Sequence, residues 1–277
     1  MKEEGEEAEL ALPPDLPTLS AVHRFHIPPG TAKADEVLLS PEESHHAVRV
    51  LRLTVGDAVT LLDGAGVEAR GSVLAADKRA VRVGVRERIV HPPLPCAVTL
   101  LQALPKGRLM DTIVEKATEL GAARIVPLLT EHTVSRPDED STANKLEKWR
   151  TTALEAVKQC GNPWLPRVEA PVTFADFLRR NEPFDLALVA SLHPEARSMR
   201  TVFAEFQTRE NRHPATVVVW VGPEGDFTAQ EIAALVSSGV QAITLGPLVL
   251  RCDTAAVAVL ARVLGEADAG ESGKAGG

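Results

Sequence analysis

The feature that most constrains this chain is a unit that occurs twice in succession near its end. The β-branched run Val217-Val218-Val219-Trp220-Val221 stops at Gly222-Pro223 and, after Gly225, gives way to a helical pattern from Thr228. Ala242-Ile243-Thr244-Leu245 then stops at Gly246-Pro247 and gives way to the helical run 254–260. An uninterrupted apolar run of this length is a strand buried on both faces, and such strands belong to parallel sheets. Ligands of parallel sheets bind in the turns at the carboxyl ends of the strands. Gly222 and Gly225 are expected to supply positive φ and a close backbone approach, and Pro223 to stiffen the turn, so that N–H groups can point at a polar guest. Thr228 followed by Glu231 reads as a capping box. Two such turns side by side make a cleft.

The preceding residues fit the same frame. Runs 97–104 and 124–129 read as strands, and between them Leu109, Ile113, Ala117 and Leu120 share a helical stripe that Gly121 stops. A helix from about Ala143 turns Leu146, Trp149, Ala153, Ala156, Val157 and Cys160 inward and ends at Gly161; a strand over 184–190, a helix near 195–207 and a strand over 216–221 follow. This alternation predicts a parallel sheet covered by helices on both faces. Before His91-Pro92-Pro93-Leu94-Pro95 the rhythm differs. Short strands over 36–39, 58–62, 69–74 and 81–89, separated by turns, predict a small β-barrel. The chain therefore divides into an acidic tail 1–20, a barrel 21–92, an α/β domain 96–264 and a tail 265–277, both tails being too poor in apolar side chains to pack.

At 277 residues and 44% apolar content the chain can bury a full core in more than one domain. No apolar run reaches the length of a membrane span, and the first twenty residues, with six acids against Lys2 alone, do not read as a secretory signal. Cys96, Cys160 and Cys252 are odd in number and widely spaced, which fits a reducing cytoplasm without a disulfide frame. His45 and His46 are adjacent, and since adjacent residues on a helix diverge by about a hundred degrees they would not share a metal; a site that also draws on His23 and His26 is conceivable, but no metal is expected. A net charge of −8 argues against nucleic acid until its distribution is seen: the two tails account for −7 of it. In the near-neutral remainder, strand periodicity sets Arg82, Arg86 and Arg88 opposite Val81, Val83, Val85 and Ile89, with Lys78 and Arg79 just before them. That face is either an RNA contact or an ordinary solvated surface. The same pair of readings applies to His46, Arg49 and Arg52, whose spacing keeps them near one side of a helix while Val48 and Leu51 pack inward.

The stretch from Gly222 to Glu231 and the stretch from Leu245 to Ala255 together resemble the signature of the SPOUT methyltransferases. Among these the chain is most similar to the 16S ribosomal RNA uridine-N3 methyltransferase family (RsmE). The resemblance includes His45-His46-Ala47-Val48-Arg49-Val50-Leu51-Arg52, Lys116-Ala117-Thr118-Glu119-Leu120-Gly121 and Glu155-Ala156-Val157-Lys158-Gln159-Cys160-Gly161, all in family order. It implies a trefoil-knotted α/β domain behind a PUA-like barrel, S-adenosylmethionine as cofactor, and 16S rRNA or the small ribosomal subunit as partner. The cofactor loops carry over to Leu192, to Gly222, Pro223, Glu224 and Gly225, and to Leu245, Gly246, Leu250, Arg251 and Thr254. The candidate RNA contacts of the barrel are Arg24, His46, Arg49, Arg52, Arg82, Arg86 and Arg88, with the solvated-surface reading open for each. A homodimer is implied too, and the run 254–264, whose one charge is Arg262, has the all-round apolar character that such packing needs.

Methylation at N3 of uracil removes a weakly acidic proton as an electrophilic methyl group arrives, so a cation that stabilises the uracil anion lowers the barrier. Arg251 and Arg24 are the candidates for that role, and either can equally be an ionic surface residue. Two departures from the family stand out. Where its pattern has an arginine soon after the glutamine of Gln159-Cys160-Gly161, this chain has Asn162-Pro163-Trp164, with Arg167 further on; and Cys252-Asp253 stands where the family has Thr-Glu. The alternatives to a uridine-N3 methyltransferase are a SPOUT enzyme acting on another RNA and a non-catalytic RNA-binding relative.

Overall fold

Two sheets organise the molecule. The computed structural model describes residues 23–77, 80–133, 139–193 and 195–268; the acidic tail 1–20, Lys78, Arg79 and Pro194 lie outside them. The first sheet has five strands, β1 (His23–His26), β2 (Glu36–Leu38), β3 (Ala58–Leu62), β4 (Val67–Asp77) and β5 (Ala80–Val90), in the order β1-β3-β4-β5-β2. Phe25 of one edge strand and Val37 of the other share a single buried cluster with Val59, Leu61, Val73, Val81 and Val83. The sheet is therefore rolled around one core, as the short alternating strands predict. Register shifts between β4 and β5 interrupt the strict alternation of β5. Arg86, Glu87 and Arg88 are consequently all exposed in succession.

Between β2 and β3 lies α1 (Pro41–His45), which Ser40 caps by accepting from the Glu43 N–H, followed by a wider π-type turn over His46–Val50. Arg52 beyond it is in the left-handed region at φ 57°. The helix expected to align His46, Arg49 and Arg52 thus ends before the last of them. Arg52 leaves that side because backbone hydrogen bonds close the turn at Leu51 and Leu53.

Residues 91–96 lead into the second sheet, which consists of β6 (Ala97–Ala103), β7 (Arg124–Leu129), β8 (Arg167–Val168), β9 (Val172–Thr173), β10 (Leu186–Ala190), β11 (Arg197–Ser198), β12 (Thr216–Val221) and β13 (Gln241–Thr244). Its order is β11-β13-β10-β12-β6-β7-β8, with β9 also on β7, and every pair is parallel. Helices cover both faces. On one, α2 (Leu109–Glu119), α3 (Glu139–Cys160), α5 (Met199–Glu210) and α7 (Cys252–Asp268) bury Ile113, Trp149, Phe203, Val259 and Leu260 against Val98, Leu100, Leu188 and Val219. On the other, α4 (Phe174–Arg179) and α6 (Ala229–Ser237) bury Phe174, Phe177 and Leu235 against Leu101, Val189, Val218 and Trp220. Each such large side chain removed from water contributes roughly 1.5–3 kcal/mol.

Three expectations need correction. Cys160 is exposed rather than inward, because the last turn of α3 runs past the sheet to β1, where Arg24 donates to the carbonyls of Lys158 and Gln159. Gly161, at φ +80°, then ends the helix against the Arg24 guanidinium, where a Cβ would lie 3.0 Å from Arg24 Nε. The helix placed near 195–207 begins at Met199, where Ser198 caps it. Finally, α7 extends through Asp268, into residues assigned above to the tail.

Candidate cofactor cleft and RNA face

Because β13, β10 and β12 are neighbours and parallel, the turns at their carboxyl ends lie side by side. They enclose a cleft of about 290 Å³. Val221, Leu245, Leu250 and Ala255 give it apolar walls; Glu224, Asp226 and Arg251 are its charged residues. Of the residues expected at the cofactor, Leu192, Gly222, Pro223, Glu224, Leu245, Gly246, Leu250 and Arg251 line this cleft. Gly225 and Thr254 do not. Gly225 turns toward the His132 ring, and Thr254 lies one turn-position into α7, its N–H donating to Asp253.

The Gly222–Asp226 turn differs from expectation in its mechanics. Neither of its glycines has positive φ; the left-handed residue is Asp226, at φ 57°. Gly222 is required for space instead, because a Cβ there would lie 2.8 Å from Asp226 Oδ1. That carboxylate also accepts from the Phe227 N–H, and the Phe227 ring packs among Phe174 and Trp220, so the end of the turn is pinned to the core. The expected capping box is present: Thr228 accepts from the Glu231 N–H and Glu231 accepts from the Thr228 N–H. Glu231 reaches further and also accepts from the Glu131 N–H. Glu224 does not satisfy its own turn. Its Oε1 accepts from the Lys106 N–H at 3.0 Å, tying the loop after β6 to the cleft.

The third turn needs its glycine for conformation, since Gly246 is at φ +124°. Thr244 Oγ1 accepts from the Gly246 N–H there. Arg251 follows at the cleft edge, 73% exposed, with Asp253 as a distant partner at 3.6 Å. Cys252 behind it is buried; burial pushes its thiol pKa up, and the nearby charges of Glu224 and Asp253 add to the effect. The sequence offered no signal for His132, which lies in the loop after β7 and donates from Nδ1 to the Asp226 carbonyl.

Arg24 is elsewhere. It lines a separate hollow with His23, His46, Leu51, Glu155, Lys158 and Gln159, between the rolled sheet and α3, so the structure does not bring Arg24 and Arg251 together in one chain. Beside that hollow, Lys158 bridges Glu155 and the buried Glu43. Burial works against the Lys158 charge, but the two carboxylates outweigh it and its pKa is raised. Burial also holds the neighbouring His26 below its usual range. The arginines of β5 are partly engaged within the chain: Arg82 faces Glu36, Arg86 donates to Ser72, and Arg88 is drawn back to the carbonyls of Ala32 and Ala34 and to Asp35. Arg49 and Arg52 are exposed. Arg167 does not reach the cleft, because it pairs opposite Arg124 at the amino end of β7.

Comparison with known proteins decides the family. Residues 92–264 match the model of an RNA methyltransferase domain, and residues 39–85 that of an RNA methyltransferase PUA domain. The chain is 35% identical over 244 residues to ribosomal RNA small subunit methyltransferase E of Synechocystis sp., covering 87% of this chain and 77% of that one. It belongs to the small subunit rRNA methyltransferase E family. Its Bacillus subtilis relative of the same name is 30% identical over 81% of this chain and 88% of its own length. Among solved structures, a putative methyltransferase of Legionella pneumophila, in complex with S-adenosylmethionine, matches with a TM-score of 0.78 at 30% identity, over 88% of this chain and 97% of that one. The methyltransferase E of Neisseria gonorrhoeae, bound to the same cofactor, matches with a TM-score of 0.76 at 26% identity, over 87% and 95%. The fold expected of this family, a parallel α/β domain behind a PUA-like one, is the fold described above. Among the described residues no helix is long and apolar enough to cross a membrane.

Proposed function

We propose that this member of the methyltransferase E family transfers the methyl group of S-adenosylmethionine to N3 of a uridine in small-subunit rRNA, acting in the cytoplasm. The cleft carries this reading, because it joins apolar walls to three backbone turns at the ends of adjacent parallel strands. Such a donor set fits the cofactor. Val221, Leu245, Leu250 and Ala255 suit the faces of a flat base, turn N–H and C=O groups its edge, and Glu224 and Asp226 a cationic centre. When bound, the cofactor supplies an electrophilic methyl group. Arg251 at the cleft edge stabilises negative charge on the uracil as its N3 proton is lost. His46, Arg49, Arg52, Arg82 and Arg86 hold RNA phosphates from the rolled sheet, while Arg24 and Arg88 brace the backbone behind them.

Incubating the protein and methyl-labelled cofactor with small ribosomal subunits from a strain lacking it, then digesting the RNA to nucleosides, is expected to yield labelled 3-methyluridine. Label on a ribose or another base would move the target. Cofactor binding without any label would favour the non-catalytic relative.

A two-fold dimer completes the proposal. Leu192, Leu248 and Val249 around the cleft are 56%, 72% and 80% exposed, and Val257, Ala258 and Leu264 of α7 are only half-covered. An apolar surface continuous with the cleft suits a second copy of the chain. Light scattering at micromolar concentration checks it: a single-chain mass with full activity excludes the dimer.

A further inference from the structure

β6 ends at Ala103 and α2 begins at Leu109, and the turn between them contains Lys106-Gly107-Arg108. This turn stands beside the cleft, because the Lys106 N–H donates to Glu224, which lines it. Lys106, Gly107 and Arg108 are all exposed. Among the described residues, neither the Lys106 ammonium nor the Arg108 guanidinium has a hydrogen-bond or ion-pair partner. Carboxylates that could have served them are engaged: Asp111 by Lys148, Glu115 by Lys116, and Glu224 by the Lys106 backbone.

The placement is also costly. Two cations two residues apart repel each other, and they precede the positive end of α2, where the peptide dipoles disfavour them. Arg108 sits at the cap position of that helix and offers no side-chain cap. Two exposed cations without an ion-pair partner among the described residues, at the start of a helix whose one first-turn acid, Asp111, is taken by Lys148, suit a site that faces a ligand. Its ligand carries negative charge. An ammonium and a guanidinium both bind phosphate, the first as a point charge and the second as a fork. A chain of net charge −8 needs open cations where RNA approaches it.

We propose that Lys106 and Arg108 grip the RNA backbone next to the nucleotide being methylated, a phosphate contact separate from those of the rolled sheet. This rests on the reading of the chain as an RNA methyltransferase. The test measures binding of a fluorescent single-stranded 20-mer RNA by anisotropy between 50 and 300 mM KCl. The Lys106→Ala, Arg108→Ala double variant is expected to bind about tenfold more weakly at low salt, with a salt slope lower by about 1.4, or roughly 0.7 for each lost phosphate contact. Lys106→Arg with Arg108→Lys is expected to keep the parental slope, and calorimetric affinity for S-adenosylmethionine to stay unchanged in both. A parental slope in the alanine variant overturns the proposal, and so does loss of cofactor affinity, which would assign the turn to the cofactor instead. Failure of the parent to form 3-methyluridine would strike the functional reading alone, since the slope is measured without catalysis.

Discussion

His132 Nδ1 donates to the backbone carbonyl of Asp226 at 2.8 Å, across 94 positions of sequence. The bond holds the one left-handed non-glycine residue of the cleft turns and fixes the proton of the neutral imidazole on Nδ1. An Asp in that conformation persists only where its surroundings insist on it. His132→Ala is therefore expected to relax the turn and weaken S-adenosylmethionine binding about tenfold, equivalent to about 1.4 kcal/mol and within the range of one hydrogen bond. His132→Asn, whose amide can donate from a similar position, should recover most of the affinity by calorimetry. Equal losses in the two variants would mean that the ring's bulk against Gly225, rather than its bond, matters.

Gly222→Ala is enough to test the close approach inside the same turn. Its Cβ would lie 2.8 Å from Asp226 Oδ1, so the carboxylate must swing out and release the Phe227 N–H. We expect cofactor affinity to fall at least tenfold while the unfolding free energy in urea changes by less than the roughly 1 kcal/mol typical of a point mutation. Unchanged affinity would show that the turn yields freely.

Arg251→Ala should separate chemistry from stability. The guanidinium is largely exposed and its nearest acid is 3.6 Å away, so its removal is expected to leave the melting temperature unchanged. If it stabilises the uracil anion, kcat falls by about two orders of magnitude with little change in KM, as for other preorganised charge-stabilising groups. A change in KM alone would reduce Arg251 to a binding contact.

Asp185 anchors the amino ends of the central strands, accepting from the Ala215 and Thr216 N–H groups and pairing with Arg212. Arg212 first, and then those N–H groups, hold its carboxyl down to about 2. A depressed carboxyl pKa stabilises the fold above the unfolded value near 3.9 and loses that contribution as pH falls toward 2. Asp185→Asn should cost about 1–2 kcal/mol in urea unfolding at pH 7, the range for a hydrogen bond to a partly exposed charge. The gap between variant and parent should persist to pH 5 and narrow below pH 4. A gap that does not change with pH would mean that shape, not charge, is what Asn lacks.

The course of the α/β domain was legible because its buried strands are largely apolar and two of them run into Gly-Pro turns, as Val217–Val221 does at Gly222-Pro223. The residues of the cleft were legible for the same reason. Their mechanics were not. Which residue of the turn takes positive φ depends on the Asp226 carboxylate folding over Gly222, and His132 arrives from a different strand. Arg88 looked like a free cation in strand periodicity, but the carbonyls of Ala32 and Ala34 and the Asp35 carboxylate engage it at the surface of the sheet. Lys106 and Arg108 escaped notice because only the hydrogen bond to Glu224 reveals that their turn borders the cleft.

The segment Asn162-Pro163-Trp164, where the family pattern carries an arginine, fastens the two domains together. Asn162 accepts from the Trp164 N–H; the indole donates to the Pro92 carbonyl and lies so close over Gly66 that a Cβ there would collide with the ring. On either side the Gly66 N–H donates to Pro163 and the Leu165 N–H to Gly64. The rolled sheet is thereby stitched to the α/β domain through the turn between β3 and β4. On the function proposed above, that stitch sets the spacing between the RNA contacts of the sheet and the cleft, so the nucleotide to be methylated is chosen by how far it stands from the gripped backbone.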